Sequence, residues 1–204
     1  GNRPEVPDME NVSRETLERL TEYVALLEKW NRRINLIAPT TTEEIWSRHI
    51  ADALQLKPLG KEVQSWADLG SGGGLPGLVV AIQALESGGP PLILVESDQR
   101  KATFLRQVIL QLGLDATVET DRIESLRPLN VQVISARALA PLPKLLVYVA
   151  RHLGTEGRAL LPKGRKWESE LSEAQQRWTF DHKVWQSQTD PEAVILEITN
   201  LEPA

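Results

Sequence analysis

Apolar residues in the first part of the chain recur in steps of three and four. After Ser13 they fall at Leu17, Leu20, Tyr23, Val24, Leu27 and Trp30. That spacing predicts one helix with a single buried stripe, capped by Ser13. Residues 31–42 hold Arg32, Arg33, Asn35 and Pro39 and read as a loop. Thr41 with Glu44 forms a possible capping box for a second helix, whose apolar positions are Ile45, Trp46, Ile50, Ala53 and Leu54. Residues 8–57 are thus helical in character, and no strand pattern precedes Val63.

From Val63 the pattern changes to short apolar runs alternating with helical periods. Runs at 64–69, 92–95, 116–119, 131–135 and 158–162 predict strands, with helices between them over 76–85, after Ser97 or Asp98, over 142–152 and over 167–178. Gly154 and Gly157 are expected to flank a turn. Two final strands, 180–185 and 194–199, are expected to pair antiparallel across Thr189-Asp190-Pro191. Such alternation predicts an α/β protein: a mostly parallel sheet with right-handed crossovers, preceded by an N-terminal helical segment. The division expected is 1–60 for the helical segment and 61–204 for the core. Ligands in such sheets bind at the carboxyl ends of strands, which directs attention to 68–74, Glu96, 121–124, 135–137 and 162–166.

The densest of these places is Asp68-Leu69-Gly70-Ser71-Gly72-Gly73-Gly74-Leu75-Pro76-Gly77. It reads as strand, glycine turn and helix start. Gly72, Gly74 and Gly77 fit the spacing of a dinucleotide loop, a weak signal alone. Asp68 argues otherwise. A carboxylate ahead of the glycines would crowd a pyrophosphate but suits S-adenosyl-L-methionine, which has no phosphate and carries two cationic groups. Glu96, ending the second strand, can accept ribose hydroxyls of either cofactor.

Composition narrows the chemistry further. The 204 residues include no cysteine and three histidines, His49, His152 and His182, far apart in sequence. Disulfides, cysteine nucleophiles and a metal centre are therefore not expected. No apolar run is long enough for a membrane span, and no signal peptide is visible, which points to a cytoplasmic protein. Net charge is −5, yet between Lys144 and Lys166 six basic residues stand against one acid. That local excess can attract phosphates although the total does not.

Several motifs together resemble the bacterial 16S rRNA guanine-N7 methyltransferase family (RsmG, or GidB). They are Trp30-Asn31 with Asn35-Leu36, Arg48-His49-Ile50 with Asp52, the glycine loop ending Gly74-Leu75-Pro76-Gly77, Lys101 with Phe104-Leu105, Arg122-Ile123-Glu124, Ser135-Ala136-Arg137-Ala138 and Pro162-Lys163-Gly164. The resemblance implies a Rossmann-like class I S-adenosylmethionine-dependent methyltransferase, acting on ribosomal RNA or the 30S subunit and working as a monomer. It implies cofactor contacts at Gly70, Leu75, Ile123, Glu124 and Arg137, with Glu96, and with Asp68 and Gly72 from the loop itself. Members usually carry an arginine before the last apolar strand, where this chain has Pro191-Glu192-Ala193.

The residues fit that chemistry. Guanine N7 has a lone pair and no proton at neutral pH, so its methylation needs no general base and no covalent cysteine adduct; catalysis rests on alignment. Arg137 is the candidate catalytic residue, positioning the cofactor carboxylate or the guanine. Lys163 and Arg165 are candidates for RNA phosphates, with Arg32 and Arg33 beside them. His49 and Asp52 lie three apart on one helical face and either pair with each other or form part of a guanine pocket. Three other readings remain open: a methyltransferase acting on another RNA, a small molecule or a protein; a nicotinamide-dependent oxidoreductase; and a non-catalytic RNA-binding protein.

Overall fold

The computed structural model describes residues 3–6 and 12–204. Residues 8–11 of the expected helical region lie outside the described residues. α1 (Arg14–Asn31) begins where expected, the Ser13 hydroxyl accepting from the Thr16 N–H. Leu20, Tyr23, Val24 and Leu27 are buried as the periodicity requires, but Leu17 is half exposed, so the stripe starts one turn later. Trp30, also placed on the stripe, packs on Phe104 with ring centroids 5.6 Å apart.

The second expected helix is not one regular helix. It comprises α2 (Thr42–Glu44), a π-helical stretch (Ile45–Ile50) and α3 (Ala51–Leu54), with the Thr41–Glu44 capping box present. A 3-10 turn (Lys57–Gly60) leads to the sheet.

The core then runs β1 (Trp66–Leu69), α4 (Gly77–Ser87), β2 (Leu92–Val95), α5 (Gln99–Leu112), β3 (Ala116–Glu119), β4 (Val131–Ala136), α6 (Leu142–His152), β5 (Leu153–Lys163), α7 (Trp167–Gln175), β6 (Trp178–Gln186) and β7 (Val194–Pro203). The sheet order is β3-β2-β1-β4-β5-β7-β6. The first five strands are parallel, and β7 runs antiparallel between β5 and β6. α7 stops before the expected Trp178, which instead opens β6. Gly154 and Gly157 lie inside β5, where a register shift replaces the expected turn.

Alternate residues of the strands feed two cores. On one face Trp66, Leu92, Leu94 and Val133 pack with α4, α5 and the N-terminal helices. On the other, Ala67, Leu69, Ile134 and Ala136 pack with α6 and α7. The N-terminal segment therefore shares a core with the sheet. Among the described residues, no helix is long and apolar enough to cross a membrane.

Candidate active site

The chain passes from β1 to β2 on one side and later returns to β4 on the other, so the order reverses between β1 and β4. Crevices for ligands open at such a switch point, outside the strand ends. Leu69 is paired with Ala136 there, which brings Gly70 and Arg137 to the same edge.

The glycine loop is held by its own acids. Asp68 is buried, its Oδ1 accepting from Ser135 Oγ (2.7 Å) and its Oδ2 from Ser71 Oγ (2.8 Å) and the Gly77 N–H (3.1 Å). Burial pushes its pKa up to about 6 despite those bonds and the nearby Arg137. Gly77 is small for a reason: a Cβ there would lie 2.5 Å from Asp68 Oδ2 and from Leu94 Cδ2. Glu96 works similarly from β2, with Oε1 accepting from the Gly72 N–H (2.8 Å) and Oε2 from the Asp98 N–H (2.9 Å). The N-terminal segment reaches the loop too, since Tyr23 donates its hydroxyl to the Gly73 carbonyl at 2.6 Å.

These bonds bear on the ligand. In a dinucleotide loop the free N–H groups face a phosphate. Here carboxylates already accept from Gly72 and Gly77, while the Gly74 N–H is taken by the Ser71 carbonyl. An anion would meet two carboxylates, whereas a cationic ligand meets favourable charge. Gly70 and Gly72 have positive φ (65° and 55°), and a Cβ on Gly72 would meet nothing but a carbonyl at 3.9 Å. The loop thus presents open backbone to a cavity of about 390 Å3 that Gly70, Gly72, Glu96, Ile123 and Glu124 line. Each carboxylate oxygen of Glu96 keeps acceptor capacity for a ribose hydroxyl.

Leu75 is placed otherwise than expected. Its side chain is buried in the core with the N-terminal helices and lines neither cavity, so only its backbone faces the loop. Glu124 is exposed, 3.8 Å from Arg122. Ile123 is fixed by its carbonyl, which accepts from His152 Nε2 at 2.7 Å, while His152 Nδ1 accepts from the Leu129 N–H.

A second cavity, of about 1170 Å3, meets the first along Ala138, Leu139 and Ala140. Arg48, Asp52, Arg137, Lys163, Lys166 and Thr189 are among its lining residues. Arg137 is half-buried and, among the described residues, makes no ion pair within 4.0 Å. Its charge nevertheless acts on Tyr23, His49, Asp52 and Asp68. His49 does not pair with Asp52. Its Nδ1 is buried without a partner, and desolvation with the charges of Arg137 and Arg48 lowers its pKa, so the ring is neutral at pH 7.

The basic run does not form one patch. Arg158, in the middle of β5, donates to the Leu59 carbonyl, and Arg151 to the Leu126 carbonyl. Lys163 is corrected as a phosphate ligand: its side chain is 8 % exposed, and Nζ donates to the Ala140 carbonyl (3.2 Å) and Glu170 Oε1 (3.1 Å). It braces the loop after β4. Arg165 is exposed beside the larger cavity. Arg32 and Arg33 are exposed at the end of α1 and line neither cavity; the Arg33 carbonyl accepts from Arg100.

Sequence reasoning missed Gln55 and Glu170, close in the chain to the Asp52 and Lys163 they support, and Thr189, which reaches Asp52 from 137 positions away. Tyr23 passed as plain core, although a buried phenol needs an acceptor and so carried a signal.

The comparisons agree with this geometry. Residues 16–194 match the family described as GidB, rRNA small subunit methyltransferase G. The chain is 56 % identical over 196 residues to the ribosomal RNA small subunit methyltransferase G of Paracoccus denitrificans, covering 95 % of this chain and 100 % of that one. It is 51 % identical over 193 residues to the protein of the same name from Cereibacter sphaeroides, covering 94 % of each. Among solved structures it resembles a point mutant of MtNAS in complex with S-adenosylmethionine (TM-score 0.60, 18 % identity, 91 % of this chain and 76 % of that one). It also resembles a methyltransferase from Geobacter sulfurreducens (TM-score 0.57, 12 % identity, 87 % and 90 %). The structural likenesses establish the fold, and the sequence matches establish that this chain belongs to the rRNA small subunit methyltransferase G family.

Proposed function

We propose that this protein transfers a methyl group from S-adenosyl-L-methionine to N7 of a guanine in 16S ribosomal RNA, in the bacterial cytoplasm where ribosomal subunits are made. The observation that carries the reading is the meeting of two cavities at Ala138–Ala140, one on the glycine loop and one between Arg137 and a partly basic wall.

The residues present fit the cofactor. Gly72 offers uncrowded backbone, Gly70 lets Leu139 close against the turn (a Cβ there would lie 2.6 Å from Leu139 Cδ1), Glu96 offers carboxylate oxygens at the end of β2, Ile123 offers an apolar surface, and Glu124 stands at the rim. Asp68 acts from beneath, shaping the turn through Ser71, Ser135 and Gly77 and placing acidic charge under it. When bound, S-adenosylmethionine supplies an electrophilic methyl on a sulfonium. Guanine N7 brings its own lone pair, so no side chain has to remove a proton. What the protein contributes is position and the exclusion of water. Arg137 stands where the cavities join, with its guanidinium free to hold the cofactor carboxylate or guanine O6. Lys163 and Glu170 fix the Ala140 end of that wall. Arg165 beside it, and Arg32 and Arg33 at the end of α1, are exposed cations that meet RNA phosphates in this reading.

Tritiated methyl transfer to 16S rRNA or 30S subunits, followed by mapping of the modified base, tests it. The wild-type protein is expected to form 7-methylguanosine, and Arg137→Ala to lower kcat/KM about a hundredfold through misalignment. Methyl incorporation only into protein or small molecules would overturn the reading.

A further inference from the structure

Asp52 is the acid the mechanism above leaves unused. It stands just after the π-helical stretch and lines the larger cavity together with Arg137. Its Oδ1 is held on two sides, accepting from Gln55 Nε2 (3.2 Å) and Thr189 Oγ1 (3.2 Å). These supports are themselves anchored. Gln55 is buried and accepts from the Gln188 N–H at 2.8 Å, and Ser187 Oγ is hydrogen-bonded to Thr189 Oγ1 at 3.0 Å. Asp52 Oδ2 accepts no hydrogen bond among the described residues, and it is not sealed off as the His49 Nδ1 is. Burial raises the pKa of this carboxyl, and the charge of Arg137 acts the other way, yet the two side chains form no ion pair within 4.0 Å. A carboxylate and a guanidinium thus share a cavity wall, one oxygen rigidly held, with neither neutralising the other directly.

We propose that Asp52 is the residue that selects guanine, its open oxygen accepting from the N1–H and N2–H2 edge of the base that enters between it and Arg137. This rests on the guanine-N7 methylation proposed above. The chemistry is specific. Guanine presents adjacent donors at N1 and N2 on the side of the ring away from N7. Adenine presents a lone pair at N1, which would face a carboxylate, and no amino group at C2. A partly desolvated acceptor left without its donor is costly, which is why such a site rejects the wrong base. Gln55 and Thr189 are positioning residues: they hold Oδ1 and so aim Oδ2.

The test compares the wild-type enzyme with Asp52→Asn and Asp52→Glu on small-subunit RNA whose target nucleotide is guanosine or inosine. Inosine keeps N7, O6 and N1–H and lacks only the N2 amino group. Wild type is expected to favour guanosine roughly tenfold, the scale of one lost base-edge contact. Asp52→Asn is expected to lose roughly a hundredfold in kcat/KM on guanosine and to show no preference over inosine, because its amide presents a donor to donors. Asp52→Glu is expected to recover part of both activity and preference. Calorimetry with S-adenosylhomocysteine should give the same affinity for all three proteins, showing a folded cofactor site.

If the variants lose activity but keep the wild-type guanosine-to-inosine ratio, Asp52 merely supports the Thr189 loop and the proposal falls. If Asp52→Asn stays within twofold of wild type, it falls as well. In both cases wild-type methylation of guanine N7 still stands. Wild-type protein that methylates no guanine N7 is a distinct outcome and overturns the functional reading together with this one.

Discussion

The two cavities that meet at Ala138–Ala140 are built in opposite ways. The smaller one has a floor folded from one short stretch, the glycine turn after β1 with the end of β2, and residues 121–124 and 138–148 complete its lining. Its acids are satisfied: Asp68 takes three donors, one of them Ser135 on the neighbouring β4, and Glu96 takes two. The larger cavity is assembled from five stretches: the helical Arg48–Asp52 segment, the loop after β4, the end of β5, α7 and the loop before β7. Its side chains are left incomplete. Among the described residues, Arg137 has no ion-pair partner and Asp52 Oδ2 has no donor, and behind that wall His49 Nδ1 is buried without a partner. A region that is complete by itself is preorganised to be leaned upon, whereas a region with unmatched donors and acceptors is complementary to something that brings the missing ones.

The largest effect that can break this comparison lies in the pH dependence of stability. The folded protein holds the Asp68 proton up to about pH 6, against 3.8 for an ordinary aspartate. The folded state therefore binds more protons than the unfolded chain between pH 4 and 6, so the contribution of this group to stability falls as pH rises through that window. The fall amounts to about 3 kcal/mol if the shift is two units. Chemical denaturation at pH 4, 5, 6 and 7 should show it as a difference between wild type and Asp68→Asn, which cannot titrate. Parallel pH curves for the two proteins would mean that water reaches the carboxylate and that the loop is not the closed unit described above.

A smaller effect is expected at Tyr23. Burial pushes this phenol far above its ordinary pKa, so it remains a donor to the Gly73 carbonyl throughout the working range. Tyr23→Phe keeps the ring and leaves that carbonyl without its partner, at a cost of about 2 kcal/mol. Thermal unfolding should record the loss, and calorimetry should record weaker cofactor binding as the turn relaxes. An unchanged cofactor affinity would show that the N-terminal helices stabilise the fold without shaping the loop.

The same contrast explains what the sequence revealed. The glycine loop was legible because Asp68 to Gly77 are near neighbours in the chain, and strand, turn and helix each leave a local mark. That the first strands run parallel followed from alternation alone, though their order did not. The larger cavity was legible only in pieces. Arg137, His49 and Lys163 were found by motif, but Thr189 reaches Asp52 from 137 positions away, and no local spacing encodes that contact. Linear charge misled for a related reason: residues close in sequence on a strand separate by about 3.3 Å per step. Arg158, in the middle of β5, therefore lies well away from Lys163 at its end, and Glu170 on α7 consumes the charge of Lys163. The insertion of β7 between β5 and β6 likewise depends on pairing across the sheet.

The smallest predicted effect concerns the rim, where neither description applies. Arg32 and Arg33 lie outside both cavities, exposed at the end of α1, with Arg100 bonded to the Arg33 carbonyl. If they touch phosphates they act through counterion release alone, and each contact contributes about 0.7 to the slope of log affinity against log salt for a single strand. Binding of 16S rRNA measured from low to moderate salt should then give Arg32→Ala/Arg33→Ala a slope shallower by about 1.4, with the rate at saturating RNA unchanged. Lys163→Met is the counterpart. Its ammonium is already consumed by Ala140 and Glu170, so the substitution should leave the salt slope as it is and lower the methylation rate by loosening the loop that carries Arg137. A reversal, with Lys163 setting the slope and the arginines silent, would place RNA phosphates inside the larger cavity and remove the distinction between its internally braced wall and its exposed rim.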